Sequence, residues 1–194
     1  MAVYADSPAK TPVTEEHPLD PASPYGINKL AAERSVMLLG RQLGVEPVAL
    51  RYFNTFGPRQ TFTPYVGVVT IFATKLLAGD DLTVFGDGSQ TRDFVHVTDV
   101  ARANLLALTA PAAAHRTLNV GSGRGTTVLA LAAMLRARLR PDAAVHHEPA
   151  RAEELTHSVA DISAARGALG YEPETDLEGQ LDDVIESLRK VRTA

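Results

Sequence analysis

Short apolar runs alternate with helix-periodic stretches along the 194-residue chain, and this alternation limits the fold more than any other property. Pro47 to Phe53, residues 82 to 85, Thr91 to Val97, Thr117 to Val120 and, more weakly, Ala143 to His147 read as strands. Between them, Ser23 as N-cap and Pro24 in the first turn start a helix that runs to about Gln42 and ends at Gly44. Further helices are expected over 65 to 79, from Asp99 to about Thr109 with Thr98 as cap, and from Thr127 to Leu139. Asp161 caps a short helix, and Thr175-Asp176-Leu177-Glu178 forms a capping box for the last. Residues 54 to 64, 86 to 89, 121 to 125 and 150 to 157 read as loops and turns. Strands alternating with helices imply an α/β fold with parallel pairing. Only two or three strands have central character, Val48 to Phe53 and Thr117 to Val120 among them, and a doubly wound sheet uses more. Part of the sheet is therefore expected to be missing from this chain.

Charge and composition exclude several roles. A net charge of -4 with both signs interspersed leaves no basic stripe for nucleic acid or anionic lipid. The fifteen arginines and four lysines make the positive charge mostly guanidinium, the group suited to a two-pronged grip on phosphate. With no cysteine, disulfides and thiolate chemistry are ruled out. His146-His147-Glu148 lacks the spacing of a metal site and reads as solvated surface, so no metal is expected. No long apolar run and no leader is seen, which makes the cytoplasm the default location, with no membrane partner.

Tyr25-Gly26-Ile27-Asn28-Lys29 puts a phenol and an ammonium four residues apart on the opening turns of the first helix, hence on one face. A nearby cation favours phenolate and brings a group with an ordinary pKa of about 10 toward acid–base use.

The motif has company: Val3-Tyr4-Ala5, Thr14-Glu15-Glu16-His17-Pro18, Ser23 to Lys29, Leu50-Arg51-Tyr52-Phe53-Asn54, Gly57-Pro58-Arg59-Gln60, Phe85-Gly86-Asp87-Gly88, Gln90 to Val97 and Asn119 to Gly123. Together these blocks resemble the extended short-chain dehydrogenase/reductase family, in particular its NAD-dependent nucleotide-sugar epimerases and dehydratases, over essentially the whole chain. The resemblance implies a partial Rossmann-like parallel sheet built from about 1–60 and 92–125, with a small α/β substrate-binding portion from about 61–91 and 126–194. It implies that Tyr25 removes a proton from a sugar hydroxyl while NAD takes hydride from the same carbon, with Lys29 assisting Tyr25 and holding the nicotinamide ribose and Tyr52 also near the cofactor. Asn54, Arg92 and Arg151 would contact the diphosphate of a UDP-sugar, the backbone around Thr83 and Phe85 would border the base, and Glu154 could reach a ribose hydroxyl. Thr63 to Phe72 resembles the uridine-lining segment of UDP-hexose 4-epimerases, and Ser158 falls where a gate for N-acetylated sugars is expected. A dimer that packs the Tyr25 helix is implied as well.

Three departures shape the expectation. The Gly-rich fingerprint that cradles the cofactor pyrophosphate has no counterpart, and Gly121-Ser122-Gly123-Arg124-Gly125 follows a late strand without the right spacing or acidic partner. The family's catalytic Ser or Thr would fall immediately upstream of Met1. Glu153-Glu154 stands where Gly-Asp is usual. The leading reading is thus the C-terminal portion of a UDP-hexose 4-epimerase, inactive without a cofactor-binding N-terminal half that could be separately encoded. The alternatives are a non-catalytic nucleotide-sugar-binding remnant or interaction module, and a nucleotide-sugar 4,6-dehydratase or reductase.

Overall fold

The computed structural model describes the chain apart from residues 8, 61, 62, 64, 65, 152–154, 193 and 194. After an irregular N-terminal segment, helix α1 (Pro24–Gln42) starts where the Ser23 hydroxyl accepts the Gly26 N–H at 3.1 Å, and Gly44 follows its C-cap with a φ of 69°. Strands β1 (Ala49–Tyr52) and β2 (Asn54–Phe56) come next, so what reads as a loop from residue 54 opens with a strand. Helix α2 (Val68–Ala78), β3 (Leu82–Phe85), β4 (Thr91–His96) and α3 (Val97–Thr109) follow. The second half contains β5 (Thr117–Val120), β6 (Gly125–Thr127), α4 (Val128–Leu139), β7 (Val145–Glu148), β8 (His157–Ser158), α5 (Ser163–Leu169) and α6 (Leu177–Arg192).

Four helix starts differ from the sequence reading. Helix α2 begins at Val68 with Gly67 as its N-cap, three residues later than expected. Strand β4 runs straight into α3, so the last extended residue, His96, becomes the cap in place of Thr98, and its Nδ1 accepts the Thr98 N–H at 3.4 Å. Thr175 does not cap α6: the helix starts at Leu177, Asp176 accepts the Gly179 N–H at 2.8 Å, and the Thr175 hydroxyl is turned to donate to Asp99 Oδ2 at 2.7 Å. Asp161 does accept the Ser163 N–H at 2.8 Å, but Ile162 stands between it and α5 as the N-cap.

Among the described residues the strands form three sheets. β1 pairs in parallel with β5, Ala49 opposite Thr117, and no strand covers the other edge of β1. β4 is flanked in parallel by β2 and β8 and antiparallel by β6, which departs from purely parallel pairing. β3 pairs in parallel with β7, Phe85 opposite Glu148. One apolar cluster joins β1 and β5 to α3, α5 and the N-terminal Val3, Tyr4 and Val13. A second lies between α2, α4, α6 and β3, around Leu82, Leu131, Leu135 and Leu181. Both are closed by side chains that leave water completely, each contributing roughly 1.5–3 kcal/mol of burial. No helix among the described residues is long and apolar enough to cross a membrane, and no group of acidic or histidine side chains there could hold a metal ion. His146 faces Asp81 at 3.2 Å on the surface.

Candidate active site

Strand alternation builds the larger pocket. In β3, Leu82 and Val84 are buried while Thr83 and Phe85 are half-buried, so the latter pair turns to the opposite side. Asn54 at the start of β2, Arg92 in β4 and Arg151 beyond β7 meet them there, lining a pocket of about 560 Å³ closed by Gly67, Ile71 and Phe72 of the α2 end. Gly86 and Gly88, at φ of 68° and 78°, let the β3–β4 connection turn back sharply enough for both strands to reach it.

The cations in this pocket are held in place. Arg151 lies with its guanidinium carbon 3.7 Å from the centre of the Phe85 ring, in cation–π contact. Arg92 is only 8% exposed and donates from Nη1 to the Thr91 carbonyl at 3.0 Å. Of the acids near it in the chain, Asp93 and Asp99 have partners of their own. Asp93 accepts from the Ser122 and Gly123 N–H groups at 2.7 and 2.9 Å, and Asp99 from Arg102 at 3.0 Å. The Asn54 Oδ1 is buried with no hydrogen-bond partner among the described residues. A buried amide atom left unpaired costs about 1–3 kcal/mol.

Tyr25 and Lys29 lie elsewhere, with Tyr52, in a recess of about 340 Å³ that runs along β1 from Val48 to Tyr52. The Lys29 Nζ sits 5.4 Å from the centre of the Tyr25 ring, as the four-residue spacing requires. Tyr52 donates to Asn104 of α3 at 2.9 Å. The two pockets abut in the chain: Tyr52 at the end of β1 lines one and Asn54, two residues on, lines the other.

One expected site residue is not brought in: Ser158 is buried on β8 in register with Arg92 and does not line the larger pocket. Glu154 lies outside the described residues, as do Pro64 and Tyr65 of the segment 63–72. The Gly121–Gly125 turn is closed to phosphate, since its Ser122 and Gly123 N–H groups already serve Asp93.

Sequence reasoning passes over other contributors. Lys75 and Gln90 line the larger pocket, where Lys75 donates to Thr83 Oγ1 at 3.3 Å and Gln90 to the Phe85 carbonyl at 2.9 Å. Arg51 and Glu33 line the recess, joined by two hydrogen bonds of 2.8 and 2.7 Å. Glu33 repeats the four-residue step of Tyr25 and Lys29, a signal available in the sequence. Tyr4, by contrast, is buried, and burial pushes its phenol up to about 12 against the pull of Arg51 and Asn119, so it acts as a fixed proton donor to Asn119 Oδ1 at 2.6 Å.

Known proteins share the sequence and fold of this chain. The model of the NAD dependent epimerase/dehydratase family matches residues 1–121. The UDP-glucose 4-epimerase of Mycolicibacterium smegmatis is 36% identical over 189 residues, covering 97% of this chain and 59% of that protein. The UDP-glucose 4-epimerase of Thermotoga maritima, solved with UDP-glucose, superposes with a TM-score of 0.91 at 37% identity, over 98% of this chain and 61% of its own. A UDP-N-acetylglucosamine 4-epimerase from Methanobrevibacter ruminantium, solved with UDP-N-acetylmuramic acid, gives 0.89 at 33% identity, over 98% and 61%. The chain thus spans about three fifths of the length of the relatives it matches. A family match over residues 1–121, which takes in the Tyr25–Lys29 helix and the strands beside it, means that this chain belongs to the NAD dependent epimerase/dehydratase family.

Proposed function

We propose that these 194 residues form the nucleotide-sugar side and the proton-transfer centre of an NAD-dependent UDP-hexose 4-epimerase. The observation that carries this reading is the convergence of Asn54, Thr83, Phe85, Arg92 and Arg151 on one pocket, with Asn54 two residues along the chain from Tyr52 of the Tyr25–Lys29 recess. Two guanidinium groups and the Asn54 amide suit a diphosphate, where charge-assisted hydrogen bonds are worth about twice neutral ones. The apolar wall of Ile71, Phe72 and Phe85 suits a flat base.

The recess fits the ribose and nicotinamide end of a dinucleotide, with Tyr25, Lys29 and Tyr52 as the residues that would hold it. When bound, NAD supplies the reversible oxidation at the sugar C4. Tyr25 takes the proton of the C4 hydroxyl and later gives it back, and Lys29 holds positive charge against the ring while the phenol is ionised. The pyrophosphate of the cofactor is assigned to a cofactor-binding segment outside these residues, because the Ser122 and Gly123 N–H groups of the Gly121–Gly125 turn already serve Asp93. UDP-glucose, UDP-galactose and their N-acetylated counterparts all belong to the proposed substrate class.

The test supplies the cofactor-binding segment of a relative together with NAD and UDP-galactose and follows UDP-glucose formation. Tyr25→Phe is expected to slow turnover by roughly 100- to 10,000-fold, the range for a lost acid–base group. Unchanged turnover would contradict the proposal, and formation of a 4-keto-6-deoxy sugar would favour the dehydratase reading.

A further inference from the structure

Tyr25, Lys29 and Glu33 succeed one another at four-residue steps on α1, and all three line the recess along β1. Lys29 therefore has an aromatic ring one turn toward the N-terminus and a carboxylate one turn toward the C-terminus. In a half-enclosed recess, an unpaired carboxylate attracts an ammonium more strongly than a ring does. Yet Lys29 sits on the Tyr25 ring, 5.4 Å from its centre.

Arg51 accounts for the choice. Its Nε and Nη2 take both oxygens of Glu33, at 2.8 and 2.7 Å, and the two side chains are only 7% and 10% exposed. The guanidinium is itself anchored from the other side. Nη1 donates to the Tyr4 hydroxyl at 2.7 Å and to the Glu15 carbonyl at 3.2 Å, and the group stacks 4.8 Å from the centre of the Tyr4 ring. Tyr4 in turn is fixed to Asn119 of β5. An arginine held this way cannot follow Glu33 toward Lys29, and a lysine at position 51 could not occupy both oxygens in one plane.

We infer that Arg51 is a positioning residue for the Tyr25–Lys29 pair: by occupying Glu33, it keeps the Lys29 ammonium on the Tyr25 ring. The inference rests on the proposed roles of Tyr25 and Lys29, but the arrangement is measurable without turnover. Labelling lysine Cε with ¹³C gives four methylene resonances, from Lys10, Lys29, Lys75 and Lys190. That of Lys29, assigned with Lys29→Arg, should be displaced upfield by the Tyr25 ring current and lose the displacement in Tyr25→Leu.

Arg51→Met is expected to remove more than half of the displacement, as Lys29 swings to the freed Glu33. Arg51→Met combined with Glu33→Gln should restore it, since no carboxylate then competes. Arg51→Lys should fall between Arg51→Met and the native chain. If Arg51→Met fails to fold, the double variant and Arg51→Lys decide: full displacement in the first with partial loss in the second supports the inference, and equal displacement in both overturns it. An Arg51→Met chain that is folded and keeps the native displacement also overturns it, since a purely structural arginine would lower the melting temperature without moving the Lys29 resonance. Absence of epimerase activity would leave these outcomes standing, because the resonance reports the seat of the ammonium and not sugar chemistry.

Discussion

Gly121 stands at the one point where β5, β4 and the segment before α5 converge. A Cβ there would lie 2.5 Å from Asp93 Oδ2 and 2.7 Å from the Ala160 Cβ, while its carbonyl accepts the Tyr171 hydroxyl at 2.9 Å. Asp93 cannot retreat, because it also holds the Ala160 N–H at 3.1 Å and the Ser122 hydroxyl at 2.6 Å. Gly121→Ala is therefore expected to cost about 1–3 kcal/mol as overpacking against a fixed carboxylate, measured as a lower urea midpoint at unchanged slope. A full-stability Gly121→Ala would mean that the Asp93 clamp is loose. The glycine-dense turn that superficially suggests a phosphate loop is thus explained by an internal anion. The neighbouring Arg92 carries a different expectation: Arg92→Met should weaken UDP binding by roughly 10- to 100-fold, the loss of a charge-assisted hydrogen bond worth about 1.5–3 kcal/mol, with little effect on the urea midpoint. Calorimetric titration with UDP measures it, and native affinity in Arg92→Met would remove this residue from the site.

At the scale of elements, a short acidic latch joins the N-terminal segment to β8. Asp6 accepts the Thr156 and His157 N–H groups at 2.8 and 3.3 Å and the Thr156 hydroxyl at 2.7 Å. Burial pushes its carboxyl up, but the hydrogen bonds from the Thr156 hydroxyl and the His157, Thr156 and Ser7 amides outweigh this and hold it below the usual carboxylate range. A depressed folded value means stability that is present above the unfolded value and lost as pH falls through the folded one, that is, below about pH 4. The stability gap between the native chain and Asp6→Asn should be full above about pH 5 and narrow below about pH 4, followed by urea melts across pH. A gap constant from neutral to acid pH would contradict the latch. No local pattern marks Asp6 in the sequence, because its partners lie 150 residues away. The helices and strands were mostly legible, since apolar period and caps such as Ser23 are local signals. Where the reading failed, as at Thr175 and Thr98, a neighbouring acid or a strand running straight into a helix had claimed the capping position.

The molecule as a whole joins two apolar clusters, with the Tyr25–Lys29 recess along β1 of one and the cationic pocket against β3 and α2 of the other. The placing of Tyr25 and Lys29 on one helical face was legible from their spacing, and the meeting of Asn54, Arg92 and Arg151 in one pocket agrees with what the family resemblance implied for them. Glu33 continues that four-residue step and could have been found the same way, but Arg51, Lys75 and Gln90 could not, since their meaning depends on which strands pair and which face of β3 turns outward. The central claim is that the pocket around Arg92 is a nucleotide site on this chain. The direct measurement titrates the ¹⁵N-labelled 194-residue protein with UDP and maps the amide shifts. The largest displacements are expected at Asn54, Thr83, Phe85, Gln90, Arg92 and Arg151, saturating together. No displacement at millimolar UDP, or displacement centred on Gly121 to Gly125, would contradict the claim.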